Sequence, residues 1–165
     1  EIPSDGTAVV ITASTRAAAG IYDDVSGDLL ATSLTKIGFT VSRVLLPDDK
    51  EQLEKAIRSA VREGADLVLT TGGTGMSPTD ITPEATAPVI ERLVPGIAEA
   101  IRQYGAAKTP FAVMSRGLSG VAGRCLIVNL PGSAGGAKDG IAVLGPLLPH
   151  IVSQLRGGDH PRPGA

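Results

Sequence analysis

The stretch Thr7–Ala13, reading Thr-Ala-Val-Val-Ile-Thr-Ala, constrains the fold more than any other part of the chain. It is apolar and β-branched with no polar alternation, the pattern of a central strand covered on both faces. Such a strand needs helices above and below its sheet. Two further aliphatic runs, Phe39–Leu46 and Ala65–Thr70, recur with helix-length stretches between them. The pattern predicts a three-layer α/β fold, a mostly parallel sheet with helices on both faces. With only two Tyr and two Phe, the core has to be built from Val, Ile, Leu and Ala.

The first helix is expected from about Ser26 to Gly38, with Leu29, Leu30, Leu34 and Ile37 on one face and Gly38 as its C-terminal cap. Lys50–Gly64 carries the stripe Leu53, Ala56, Ile57, Ala60 and Val61. Its pairs Glu51 with Lys55 and Glu54 with Arg58 suit a solvated face. Thr82 reads as an N-cap, with Pro83 at the first helical position and Glu84 near the positive end of the dipole. Pro88 should kink that helix while Val89, Ile90 and Leu93 continue its stripe. A further helix begins at Pro95-Gly96 and runs to about Tyr104, so two short helices or one bent helix are expected. Residues 106–117 give no assignable pattern.

Ser119–Ala122 and Cys125–Leu130, joined by Gly123-Arg124, fit a short antiparallel hairpin with a two-residue turn of the Gly-X kind. Ser133 is suited to begin a last helical region over 134–155, with breaks near Gly145-Pro146 and Pro149. From Arg156 onward the chain is rich in Gly and Pro and is expected to fray. Residues 1–156 then form one domain and 157–165 a flexible tail.

A formal charge of −2 gives no general attraction to nucleic acid, and four aromatics offer little to stack on bases. The single cysteine, Cys125, cannot form an internal disulfide and reads as a core residue. The apolar runs are too short to span a membrane, and nothing resembles a signal peptide, so a cytoplasmic location is expected.

Four loops rich in polar or turn residues follow strands: Ser14–Gly20, Pro47–Asp49, Gly72–Asp80 and Leu130–Ser133. In open parallel sheets ligands collect beyond those strand ends. In the third loop Gly72, Gly73 and Gly75 can adopt positive φ and let backbone N–H groups converge on an anion. Asp80 would repel that anion unless a cation lay between them. A Walker loop is excluded because Met76 follows Gly75 where the motif needs a lysine to reach the terminal phosphates. The dinucleotide fingerprint fails because Pro78 stands where its third glycine belongs.

The wider pattern is more specific. Thr70-Thr71-Gly72-Gly73-Thr74-Gly75 followed by Asp80-x-Thr82-Pro83-Glu84-Ala85 resembles the signature of the molybdopterin adenylyltransferase family, the Mog and MoaB type proteins. The resemblance extends to Arg16 with Gly20-Ile21-Tyr22-Asp23, to Pro47-Asp48-Asp49, to Ser115-Arg116 and to Asn129-Leu130-Pro131-Gly132. It implies adenylylation: the terminal phosphate of molybdopterin is joined to the α-phosphorus of ATP, with Mg²⁺, and pyrophosphate leaves. A phosphate monoester with a second pKa of about 6 is mostly ionised at neutral pH, so no general base is required.

By the same resemblance Asp48 and Asp80 are the catalytic aspartates, and Asp48, Asp49 and Asp80 the Mg²⁺ ligands. Thr71, Gly72, Gly73, Thr74, Gly75, Ser14, Arg16, Ser115, Arg116, Pro131, Gly132 and Ser133 are the substrate and phosphate contacts. The family also implies a homotrimer or a hexamer made of two trimers, and handover of product to a molybdenum-insertion protein. Local readings stand beside these roles. Asp48 could cap the following helix, Asp80 could order its own loop, Arg116 could make an intersubunit ion pair, and Ser133 could serve only as a cap. His150 and His160 lack metal-ligand spacing. Many relatives carry Ser-Asp-Arg where this chain has Ser14-Thr15-Arg16. The competing functional readings are a non-catalytic molybdopterin carrier and, less favoured, an oligomerisation module like the G domain of gephyrin.

Overall fold

The computed structural model describes residues 1–158. Thr7–Ala13 (β1) pairs in parallel with Thr40–Leu46 (β2) on one side and Leu67–Thr71 (β3) on the other. Cys125–Leu130 (β6) extends the parallel part beside β3. Ser119–Ala122 (β5) and the two-residue strand Arg92–Leu93 (β4) add antiparallel pairs, giving the order β2-β1-β3-β6-β5-β4.

Side chains of the strands alternate between two apolar layers, as the period of two requires. Val10, Leu67, Leu69, Leu126 and Val128 pack with Leu30 and Leu34 of Val25–Ile37, and with Leu144 and Val152 from two later helices. Ile11, Val68 and Ile127 pack on the other face with Leu53, Ile57 and Ala60 of Lys50–Arg62. Each fully buried leucine of this kind stabilises the fold by about 1.5–3 kcal/mol. The two helical layers follow from the path of the chain. It leaves β1 for the edge strand β2, then crosses back past β1 to β3. With right-handed crossovers the two connecting helices must lie on opposite faces. Strand order therefore reverses beside β1.

In chain order the helices are Thr15–Ala18 (α1), Val25–Ile37 (α2), Lys50–Arg62 (α3), Thr82–Thr86 (α4), Pro95–Ala106 (α5), Ala134–Leu144 (α6) and Leu148–Leu155 (α7). Two expectations about α4 are corrected. Thr82 is its first helical residue, the cap position being Ile81, because the Thr82 hydroxyl is used elsewhere, on Gly72. The helix also stops at Thr86 and is not kinked at Pro88. Pro88 has no N–H to continue the ladder, and the chain turns instead into edge strand β4, where Glu91 N donates to Val121 O at 2.9 Å. The unassigned stretch contains the end of α5 and a 3₁₀ turn, Pro110–Met114.

The hairpin turn is of the expected kind. Gly123 has φ +57°, and no non-glycine residue among those described has positive φ, which is the type II′ arrangement. The last helical region breaks at Gly145–Leu147 as a 3₁₀ turn, but Pro149 does not break it. Pro149 sits in the first turn of α7, where a missing N–H costs nothing. Arg156, expected to fray, is anchored. Its guanidinium donates twice to Asp66 and once to Asp5, each at 2.9 Å. Residues 159–165, most of the expected tail, lie outside the described residues.

Candidate functional site

The four strand-end loops converge at the C-terminal edge of the parallel strands. Gly72 N donates to Leu130 O at 3.0 Å, and Ser14 N donates to Leu46 O at 2.9 Å. Thr71 Oγ1 donates to Pro131 O at 2.8 Å and lies 3.1 Å from Ser26 Oγ. Gly72 has φ +96°, and a Cβ there would collide with the Ala13 carbonyl oxygen; Gly73, at φ +68°, would drive a Cβ into Thr82 Oγ1. Both positions therefore require glycine. Thr82 closes this part of the loop: its N–H donates to Gly73 O at 3.1 Å and its hydroxyl to Gly72 O at 2.9 Å.

Two carboxylates flank the glycine loop. Asp48 Oδ1 lies 3.4 Å from the position a Gly73 Cβ would take, and Asp80 Oδ2 lies 2.7 Å from that of Gly75. Asp48 does not cap α3; that role falls to Asp49, which accepts from Gln52 N at 3.0 Å. Asp48 Oδ2 instead accepts from the amide and the hydroxyl of Thr15, at 3.3 and 3.2 Å. Thr15 Oγ1 accepts in turn from Asp48 N at 3.0 Å. Asp80 does order its own loop, through Ser77 N at 3.0 Å, and it also lines the cavity described below.

The other expected contacts divide. Ser14 caps α1 by accepting from Ala17 N at 3.2 Å, and Ser133 caps α6 by accepting from Gly136 N at 3.0 Å. Arg16 is exposed, donating to the Tyr22 hydroxyl at 2.9 Å with its guanidinium 5.6 Å from that ring's centre. Ser115 lines the cavity together with Gly72–Gly75, Pro131, Gly132 and Ser133. Arg116 is not on that wall. It makes an ion pair within the chain, to Glu84 at 2.8 Å.

The cavity holds about 670 Å³, within the range of small-molecule sites. It runs from the glycine loop along Ala98 and Ile101 of α5 to the first turn of α6. Met76, Phe111 and Met114 stand exposed on its walls. Lys108, in the turn after α5, pairs with Asp139 of α6 at 2.7 Å on its far side, and that bond is the main reason the Lys108 pKa is raised above its usual value. Sequence reasoning gave no role to this pair, which is 31 residues apart and carries no local signal.

Asn129 was also given no role of its own. Its side chain, 4% exposed, donates to Thr70 Oγ1 at 2.9 Å and Thr86 Oγ1 at 3.0 Å and accepts from Leu118 N at 3.1 Å. It thereby ties β3, α4 and the entry to β5 together directly beneath the site. Cys125 is a core residue, its thiol pushed up to about 12 mainly by burial.

Among the described residues no three His, Cys, Asp or Glu side chains cluster as a metal cage. The carboxylates nearest the glycine loop are Asp48, beside Gly73, and Asp80, beside Gly75, and of these Asp80 lines the cavity. No helix of the described residues is long and apolar enough to cross a membrane.

The fold and site together define an open-sheet α/β protein with a small-molecule cavity beyond the C-terminal ends of β3 and β6. Residues 9–150 match the family described as "Probable molybdopterin binding domain", and the chain belongs to that family. It is similar to the molybdopterin biosynthesis Mog protein from Mycobacterium ulcerans, with 46% identity, a TM-score of 0.87, and 91% of this chain and 99% of that one covered. The molybdopterin adenylyltransferase of Helicobacter pylori is 34% identical over 152 residues, covering 90% of this chain and 86% of the relative. A molybdenum cofactor biosynthesis bifunctional protein of Synechococcus elongatus is 40% identical over 154 residues, 93% of this chain. The chain spans about half the length of that relative, 48%.

Proposed function

We propose that the chain is a molybdopterin adenylyltransferase of molybdenum cofactor biosynthesis. The observation that carries the reading is the placement of two carboxylates against the glycine loop, Asp48 beside Gly73 and Asp80 beside Gly75, with Asp80 on the cavity wall. In the reaction a molybdopterin phosphate oxygen bonds to the α-phosphorus of ATP, the bond from that phosphorus to the bridging β-oxygen breaks, and pyrophosphate leaves. The nucleophile is already ionised at neutral pH, its second pKa being about 6. The protein therefore has to orient and neutralise, not to remove a proton.

Asp48 and Asp80 are the residues that would hold Mg²⁺, which when bound supplies charge neutralisation at the phosphates. Asp49 is left to its cap. Glycine at 72 and 73 lets the loop turn at positive φ tight against Ala13 and Thr82, and in that turn the backbone of Gly72–Gly75 lines the cavity where the phosphates would sit. Ala98, Ile101, Phe111 and Met114 give the cavity apolar wall for a planar ring. The same reading carries the assembly into trimers or hexamers, a cytoplasmic location, and handover of the adenylylated product to a molybdenum-insertion protein. A second reading, a carrier that binds molybdopterin without turnover, is favoured by one observation. Asp80 Oδ2 is already engaged by Ser77 N at 3.0 Å. Single-turnover incubation with molybdopterin and Mg·ATP separates the two. Adenylylated pterin is the expected product; tight binding with no product under any divalent metal leaves the carrier reading.

A further inference from the structure

We infer that Arg116, oriented by Glu84, is a positioning residue that sets Asp80 against the glycine loop; the inference rests on the adenylyl-transfer reading. Arg116 follows the 3₁₀ turn and lies behind the loop. Its amide donates to Thr74 O at 2.8 Å, and its Nε to Gly75 O at 2.7 Å. Nη2 donates to the main-chain oxygen of Asp80 at 2.8 Å. One planar group thus grips both arms of the loop, the arm that carries the glycines and the arm that carries the carboxylate.

The guanidinium is itself aimed by Glu84 in the first turn of α4. Nη1 donates to Glu84 Oε2 at 2.8 Å and Nη2 to Oε1 at 3.2 Å. This is the two-pronged geometry that fixes the plane of an arginine and that a lysine cannot reproduce. The need for such a grip is visible in the loop itself. Residues 76–79 are all exposed. The bonds that close the loop on α4 come from Thr82 and reach only Gly72 and Gly73. Asp80 sits beyond them, held by its own contacts with Ser77 and by Arg116. Four of the five guanidinium N–H donors of Arg116 are used on the loop and Glu84, and Arg116 does not line the cavity.

Misplacing a reacting group by about 1 Å costs on the order of 10²-fold in rate. Arg116→Met should therefore lower the single-turnover rate by about that factor, with little change in the concentration of molybdopterin that half-saturates it. Arg116→Lys should recover little of the loss. Glu84→Gln should give a smaller loss, and the double variant a loss no greater than that of Arg116→Met alone. Hydrogen exchange supplies a readout that does not depend on turnover. Amides of 75–80 should exchange faster in Arg116→Met while those of β1, β3 and β6 stay protected. A raised half-saturating concentration at unchanged maximal rate would overturn the inference and make Arg116 a direct substrate contact. Unchanged exchange over 75–80 would overturn it as well. If the wild-type protein shows no transfer, the functional reading fails, and the exchange result alone decides whether the brace exists.

Discussion

The ion cluster at the N-terminal end of the strands gives the sharpest stability prediction. Asp66 is fully buried, accepts Thr7 N at 3.0 Å, and takes two bonds from Arg156 at 2.9 Å each. Replacing it with Asn keeps the shape, removes the charge, and presents an NH₂ group to a guanidinium that can only donate. Removing one partner of a buried pair costs about 3–5 kcal/mol. Arg156 retains Asp5 and a side chain 20% exposed, so the loss here should be smaller, about 2–4 kcal/mol. For a chain of this length that corresponds to a fall in Tm of roughly 5–15 °C.

The pH dependence fixes the sign. Burial alone would raise the Asp66 carboxyl, but the Arg156 and Thr7 hydrogen bonds and the Arg156 charge hold it below the usual carboxylate value. A depressed folded value means that the stabilisation is present above the unfolded value of about 3.9 and is lost as pH falls through the folded one. Urea unfolding of both proteins between pH 7 and pH 2 measures the difference directly. It should be widest near neutrality and shrink below about pH 4. A loss under about 1 kcal/mol at pH 7, or a difference that does not narrow in acid, would refute the reasoning.

Two predictions concern the site. Gly72→Ala forces a positive φ on a residue with a side chain and drives its Cβ into the Ala13 carbonyl oxygen, so urea unfolding should show a loss of at least about 1–2 kcal/mol; unchanged stability would contradict the geometry. Thr15→Val removes the hydroxyl that both donates to Asp48 Oδ2 and accepts from Asp48 N. Because Thr15 is exposed, stability should stay within about 0.5 kcal/mol while the single-turnover rate falls about tenfold; Thr15→Ser should restore it, and a Val variant as fast as wild type would show that Asp48 needs no such support.

The layers of the fold were legible because Thr7–Ala13 is apolar without alternation and Leu53, Ala56, Ile57 and Ala60 repeat at helical spacing. Both patterns report burial directly. Where a residue has a tertiary partner, local signals misled. Thr82 looks like a cap from its neighbours, yet its hydroxyl is committed to Gly72 O ten residues away. The Val89–Leu93 segment has a helical stripe, but once the helix has ended Val89 lies in a turn and Arg92–Leu93 pair with the free edge of β5. Arg156 lies in a segment of fraying composition and is held by Asp66, 90 residues distant.

The site divides in the same way. The glycines and both aspartates could be picked out because loop chemistry and the family signature coincide there. The cap of α3 is a different miss: Asp48 reads as the cap candidate, but a helix that starts at Lys50 puts Asp49 at the cap position. Lys108, Asp139 and the back side of Arg116 owe their places to packing among α4, α5 and α6. No spacing in the chain announces them.

The most direct test of the account is Asp80→Asn, measured for both adenylyl transfer and molybdopterin binding. If the carboxylate serves the transfer from the cavity wall, product formation should be abolished while pterin binding and the fold remain. Equal loss of binding and folding would make Asp80 a loop residue only, and undiminished transfer would remove it from the mechanism.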